Sequence, residues 1–322
     1  MSFRALICAA SALVFAGSAP LAAQDFPTRP ITILVGLAPG GITDVMARLY
    51  AETVSRKLGQ NVIVENRPAA SGAVAAAALQ NAQPDGYTLL LFSGAQHATI
   101  PALSSSATYD PVKGAEPVSV LFNFTGIVAV PADSPIKSMA EFAAYAKSKP
   151  GGLNFGSPGV GTPSHLAAAK LLAMTGAPAQ FVHYKGGSPM MADLVAGRLD
   201  VAWPSAPASK SFLLDKKLRA LAVDAGQRWS AIADVPTLHE AGFGEASVAN
   251  WFAIAAAPGT PPAIIRKLNA AFAEAAQDPE LKRKVEDFGM TVATSTPEEM
   301  GKLMAKEAAQ IRELVQKLGL KQ

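Results

Sequence analysis

The strongest constraint on this chain is a rhythm that runs along most of it: short β-branched or apolar runs end in glycine-bearing turns and lead straight into helical spacing. Ile31-Thr32-Ile33-Leu34-Val35 reads as a strand and Gly40-Gly41 as a turn. Val45, Met46, Leu49, Val54 and Leu58 then form one face of a helix that Gly59 stops. Val62-Ile63-Val64, an alanine-rich helix over 71–81 and a strand over 87–92 continue the pattern. Strand, helix, strand, helix, strand in this order implies a mostly parallel, doubly wound sheet with helices on both faces. A second block repeats it, with strands expected over 118–121, 126–130, 153–155, 181–184, 199–203 and 218–223, and helices over 139–147, 163–175 and 189–196. After a strand over 251–256, three helices over 263–276, 279–288 and 297–318 end the chain. The last opens with Thr296 and Glu299 at capping-box spacing and Pro297 at the first helical position. Two α/β blocks imply two lobes, in keeping with 322 residues at roughly 150 per domain.

Charged residues make up 16% of the chain and the net charge is +3. That composition excludes an acidic disordered protein and argues against a nucleic-acid binder, which would carry a basic stripe. Residues 1–23 read as an export signal. Arg4 gives the positive start, 5–17 is an apolar run shorter than the ~20 residues a membrane span needs, and Leu21-Ala22-Ala23 after Pro20 offers a cleavage site. A membrane anchor is the other reading of this segment. The one cysteine, Cys8, lies inside it, so the mature chain would carry neither a disulfide nor a cysteine-rich metal module. The expected location is the periplasm.

Ligands of doubly wound sheets sit outside the carboxyl ends of strands, at helix N-termini. Two turns of this chain fit that position. In the first, Pro39, Gly40, Gly41 and Asp44 combine close backbone approach and free amides with a carboxylate matched to the helix dipole. The second runs from Ser157 through Gly159, Gly161, Thr162 and Ser164 to His165, with Thr162 as the N-cap and Pro163 behind it. One turn in each block can hold a small anion between them. An ordinary βα connection is the plainer reading of each alone. Lys185 in a third turn reads as a solvated lysine or as a charge at the cleft rim. Trp203 ends a strand and is either core packing or cleft lining. Catalytic patterns are weak: there is no G-x-S-x-G elbow or P-loop, Gly159-x-Gly161 lacks the third glycine of a dinucleotide fingerprint, and the four histidines are scattered. No metal or cofactor is expected.

Ordered motifs then carry a resemblance. Pro27-Thr28-Arg29-Pro30 leading into the first strand, Ala38-Pro39-Gly40-Gly41 with Asp44 and Arg48, Val64-Glu65-Asn66-Arg67-Pro68 and Pro84-Asp85-Gly86-Tyr87 come first. Tyr184-Lys185-Gly186-Gly187, Gly197-Arg198-Leu199-Asp200-Val201 and Asp234-Val235-Pro236-Thr237 follow. Over nearly the whole mature chain this resembles the substrate-binding proteins of tripartite tricarboxylate transporters, the Bug family. The resemblance implies a two-lobed Venus-flytrap (type II periplasmic-binding-protein) fold, each lobe a mixed, mostly parallel sheet flanked by helices, without enzymatic activity. It implies capture of a small organic carboxylate, delivery to membrane permease subunits, and a monomer. It places lobe one at 24–124 plus 250–322 and lobe two at 125–249. It adds Ser93 through His97, with Ser93, Gln96 and His97, to the two turns as ligand-binding positions, and draws attention to Trp203 and Ser205. Departures are Gly36 where relatives usually have proline, a single glycine, Gly72, where they have a pair, and Trp203-Pro204-Ser205 where many carry a polar pair. Two other readings share the cleft: an exported hydrolase or transferase using Ser157 or Ser164 with His165, and a sensor subunit that presents the ligand.

Overall fold

Seven strands and helices in alternation open the structure. They are β1 (Ile31–Val35), α1 (Ile42–Leu58), β2 (Val62–Asn66), α2 (Ala73–Gln80), β3 (Thr88–Ser93), α3 (Gly94–Leu103) and β4 (Glu116–Phe124). A second run holds β5 (Gly126–Pro131), α4 (Met139–Ser148), β6 (Leu153–Ser157), α5 (Pro163–Thr175), β7 (Ala179–His183), α6 (Gly187–Val195), β8 (Val201–Ala202), α7 (Ala206–Leu214) and β9 (Leu218–Asp224). The chain closes with β10 (Trp251–Ala256), α8 (Pro262–Ala275), α9 (Pro279–Asp287), β11 (Met290–Val292) and α10 (Pro297–Lys317). This computed structural model describes residues 26–37, 39–103, 107–159, 162–184, 187–248 and 250–317. The expected export signal, Gly161 of the second turn and Lys185 of the third lie outside the described residues.

The strands form two sheets, one ordered β11-β4-β10-β3-β1-β2 and the other β7-β6-β8-β5-β9. β1 pairs parallel with β2 and β3, while β10 lies antiparallel between β3 and β4, so β1 to β4 all point one way and β10 and β11 run against them. In the second sheet β6, β7, β8 and β9 share a direction and β5 is reversed. Each sheet is thus mixed: four strands of each share one direction, while three of the five neighbour pairs in the first and two of the four in the second are antiparallel. Of the reversed strands, β5 and β10 each follow a crossing between sheets and β11 follows α9 on the first sheet; their pairing is long-range, so the order of elements along the chain does not show it.

The crossings lie side by side. Phe124 leaves the first sheet and Gly126 enters the second. Asp224 leaves the second, and Trp251 re-enters the first. Phe124 donates its backbone N–H to the Asn250 carbonyl at 2.7 Å, and Asp224 accepts from Asn250 Nδ2 at 3.0 Å and from Ser247 Oγ at 2.5 Å. Burial pushes the Asp224 carboxyl up to about 6.

Apolar faces explain the layers. Met46, Tyr50 and Val54 of α1 pack with Leu268 and Phe272 of α8 on the first sheet, and Leu166, Leu171 and Phe142 cover the second. α10 lies across both. Met300 and Met304 join the core behind β3 and β10, whereas Ala308, Ile311 and Val315 share a cluster with α5 and with Leu238 and Val248. Its start is the capping box expected from sequence: Thr296 N–H donates to Glu299 Oε2 at 2.8 Å and Glu299 N–H to Thr296 Oγ1 at 3.2 Å.

Candidate functional site

Strand direction decides where the glycine turns lie. β1 and β3 point the same way as β4, so Val35 and Ser93 end at the edge of the first sheet from which Phe124 crosses over. In the second sheet Gly126, just past the crossing, bridges to Ser205 after β8, and β6 runs parallel to β8. Ser157 therefore ends at the crossing edge too. Both expected turns open toward the seam between the sheets.

The first turn is shaped by a carboxylate that faces inward. Asp44, in the first turn of α1, accepts the Gly40 N–H at 2.9 Å and Arg48 Nε at 3.1 Å, and Arg48 Nη2 stands 2.9 Å from its other oxygen. Asn66 extends the brace, donating to the Leu37 carbonyl at 3.0 Å and accepting from Arg48 Nη2 at 3.2 Å. Burial alone would raise the Asp44 pKa, but the bonds from Arg48, Gly40 and Asn66 and the Arg48 charge outweigh it and hold the carboxyl below its ordinary value. Asp44 and Asn66 thus form the loop, while Pro39, Gly40 and Gly41 are exposed on it. Gly36, which stands where relatives usually have proline, meets Gly72, the glycine left of the usual pair: a Cβ on Gly36 would fall 2.5 Å from the Gly72 Cα.

Ser93 ends β3, and Gly94 begins α3 directly. Sequence periodicity showed no helix here because Pro101 interrupts it. A proline at that position has no N–H for the carbonyl four residues back, which is His97. Tyr109 supplies the missing donor, its hydroxyl bonding the His97 carbonyl at 2.8 Å. The His97 ring lies 4.5 Å from that of Phe92 and 4.8 Å from that of Tyr109, centroid to centroid. Burial pushes its pKa down to about 4, with Asp110 opposing weakly, so the imidazole is neutral near pH 7.

These residues converge. A cavity of about 30 Å³ is bounded by Gly36, Leu37, Thr43, Ser93, Gln96 and His97, among others. Thr43 Oγ1, Ser93 Oγ and His97 Nε2 are all buried without a hydrogen-bond partner among the described residues. Buried polar atoms without partners are uncommon in folded proteins, and three around one cavity point to a polar guest. Among the described residues, no lysine or arginine lines this cavity. Thr43 was missed from sequence, since it reads as an ordinary first-turn residue.

The second turn is more self-contained. Ser157 Oγ and the Gly159 backbone bond each other at 2.9 and 3.2 Å. Thr162 Oγ1 donates to the Gly159 carbonyl at 2.8 Å and caps α5 by accepting the His165 N–H at 3.3 Å. Ser164 and His165 are buried in the first turn of α5, where the His165 ring meets Phe181 and His183 edge-on. Burial, with the neighbouring His183, pushes His165 down to about 4. Asp193, the acid available for a catalytic triad, is engaged by the Tyr184 hydroxyl at 2.7 Å and Arg198 at 2.6 Å. Trp203 is fully buried in the second-sheet core, its indole filling the space a side chain on Gly126 would need, and Ser205 caps α7 by accepting the Ala208 N–H at 3.2 Å. Neither lines the cavity.

A family model for the tripartite tricarboxylate transporter family receptor matches residues 46–320. Protein BugT of Bordetella pertussis is 32% identical over 94% of both chains. A protein of the gbd 5' region of Cupriavidus necator is 35% identical over 98% of this chain and 96% of its own. Among solved structures, an adipate-bound protein of R. palustris superposes with a TM-score of 0.81 at 32% identity, covering 92% of this chain and 99% of that one. MatC from Rhodopseudomonas palustris with bound malate gives 0.77 at 30% identity, covering 90% and 100%.

Proposed function

The chain belongs to the tripartite tricarboxylate transporter receptor family, and from that membership we propose that it captures a small organic carboxylate by lobe closure and hands it unchanged to a membrane permease. The lobes are 24–124 plus 250–322 and 125–249, the setting is the periplasm, and the working form is a monomer. One observation carries the reading: Thr43, Ser93 and His97 present unmatched polar atoms at the crossing edge of the first sheet. Hydroxyl and amide donors there hold one end of the ligand, and the α5 N-terminus with Thr162 and Ser164 meets the other from the second sheet. A carboxylate suits such neutral donors because a hydrogen bond to an ionised acceptor is roughly twice as strong as a neutral one. Gln96 completes the rim on the first sheet, and Asp44 acts through the Gly40 loop rather than on the ligand.

The malate and adipate seen in two similar structures name the first probes. Calorimetric titration should give saturable one-to-one binding of at least one member of a C4–C6 dicarboxylate series, with the solute recovered chemically intact. A series that leaves both the heat and the melting temperature unmoved would refute the carboxylate reading. Conversion of the solute would favour the hydrolase reading, against which the engagement of Asp193 by Tyr184 and Arg198 already counts.

A further inference from the structure

We propose that Glu307 of α10 is a positioning residue for the solute site: by accepting the indole N–H of Trp251 it fixes the ring on which the first turn of α3, and with it Ser93 and His97, is seated. The inference rests on the reading of that turn as part of the solute site.

Glu307 is out of place on its helix. Its neighbours on the buried face are Met300, Met304, Ala308, Ile311 and Val315, yet the glutamate itself is only 4% exposed. A methionine or leucine would fill the position without the cost of burying a carboxyl. The other buried carboxylates, Asp44 and Asp224, each take bonds from two residues. For Glu307 the hydrogen bond found among the described residues comes from Trp251 Nε1. Trp251 in turn occupies the space of another side chain. A Cβ on Gly94 would fall 2.0 to 2.4 Å from three atoms of the indole, so the ring is the wall against which α3 begins. The same indole meets Phe92 edge-on at 6.0 Å, and Phe92 meets His97 at 4.5 Å. Carboxylate, indole, phenyl and imidazole form one packed file from the helix that spans the two lobes to the cavity with the unmatched atoms.

The outer end of this file borders the seam between lobes. A cavity of about 300 Å³ beside Glu307 is lined by Lys170 of α5, Ser247, Val248 and, on α10, Glu313 and Lys317. Lys170 donates to the Ser247 carbonyl at 2.8 Å, both on the second-lobe side of that cavity. Burial pushes the Glu307 carboxyl up to about 7, so its charge changes near neutral pH with Lys170, Glu313, Lys317 and, beyond the indole, His97 as the titratable groups around it.

The test compares wild-type protein with Glu307→Leu, which removes the acceptor, and Glu307→Gln, which keeps one but cannot ionise. In the Leu variant, amide exchange over 94–99 should quicken about fivefold or more while α1 amides over 46–54 stay unchanged. Adipate and malate affinity should fall about fivefold or more, and the Gln variant should recover both to within about twofold. The Trp251 indole N–H resonance should titrate near 7 in the wild type and stay flat in the Gln variant. Unchanged exchange over 94–99, failure of Gln to rescue, or an indole titration that survives in the Gln variant would each overturn the proposal. If the Leu variant does not fold, the Gln titration decides alone. Expected exchange and resonance shifts in a protein that binds neither acid would support the brace and count against the carboxylate reading.

Discussion

Ser93 and Thr43 hold buried hydroxyls that the unliganded protein does not match among the described residues. A buried donor without a partner costs roughly 1–3 kcal/mol, and a ligand oxygen removes that penalty on binding. Ser93→Ala is therefore expected to leave the free protein as stable or up to about 1 kcal/mol more stable in urea unfolding, while weakening dicarboxylate binding about tenfold. Lost stability with retained affinity would make Ser93 a packing residue. This scale was only partly legible in the sequence. Gly40 stood in a glycine turn and Thr162 announced its cap through the proline behind it, whereas Ser93 and His97 came only with the family resemblance. Thr43 and Glu307 gave no local sign, because what distinguishes them is the environment supplied by chain that is distant in sequence.

At the level of elements, α3 is held by a bond that crosses from outside it. The Tyr109 hydroxyl serves the His97 carbonyl, which Pro101 cannot. Tyr109→Phe should cost about 1–2 kcal/mol by leaving that carbonyl unmet. Pro101→Ala gives residue 101 its own N–H, so in that background the cost of Tyr109→Phe should shrink by at least about half, a coupling that a double-mutant cycle in urea would register. Additive costs would refute the substitution of one donor for the other. The same bond explains why α3 escaped sequence reading while α10 did not. The Thr296–Glu299 box lies within four residues of chain, whereas the support of α3 lies in a separate segment. β10 and β5 were legible as strands, but their reversed direction follows from pairing partners dozens of residues away.

Across the whole molecule, four buried groups titrate against one another. His97 and His165 are pushed down from 6.5 to about 4, so the unfolded chain binds more protons there. Their contribution to stability is present above pH 6.5 and is lost as pH falls toward about 4. Asp224 and Glu307 are raised, from 3.8 to about 6 and from 4.5 to about 7. Their contribution is present at low pH and is lost as pH rises through those values. The two pairs oppose each other between about pH 4.5 and 6.5. Relative to wild type, Glu307→Gln should tilt stability upward with pH across that window, by at most ~1.4 kcal/mol per pH unit, and His97→Gln should tilt it downward by a similar amount. Urea midpoints at half-unit pH steps measure both, and parallel curves for variants and wild type would show that these groups are not titrating as their burial implies.

The paired crossings at 124–126 and 224–251 attach both sheets near one side, beside β4 and β9, and leave β2 and β7 at the free ends. With strands ~4.8 Å apart, β2 stands four strands, ~19 Å, from β4, and β7 three strands, ~14 Å, from β5. Such a lever magnifies any rotation at its pivot. Ile63 on β2 and Val182 on β7, both solvent-facing, are therefore where a pair of spectroscopic labels would read the largest travel. Labels near Asn123 and Asp224 would scarcely separate.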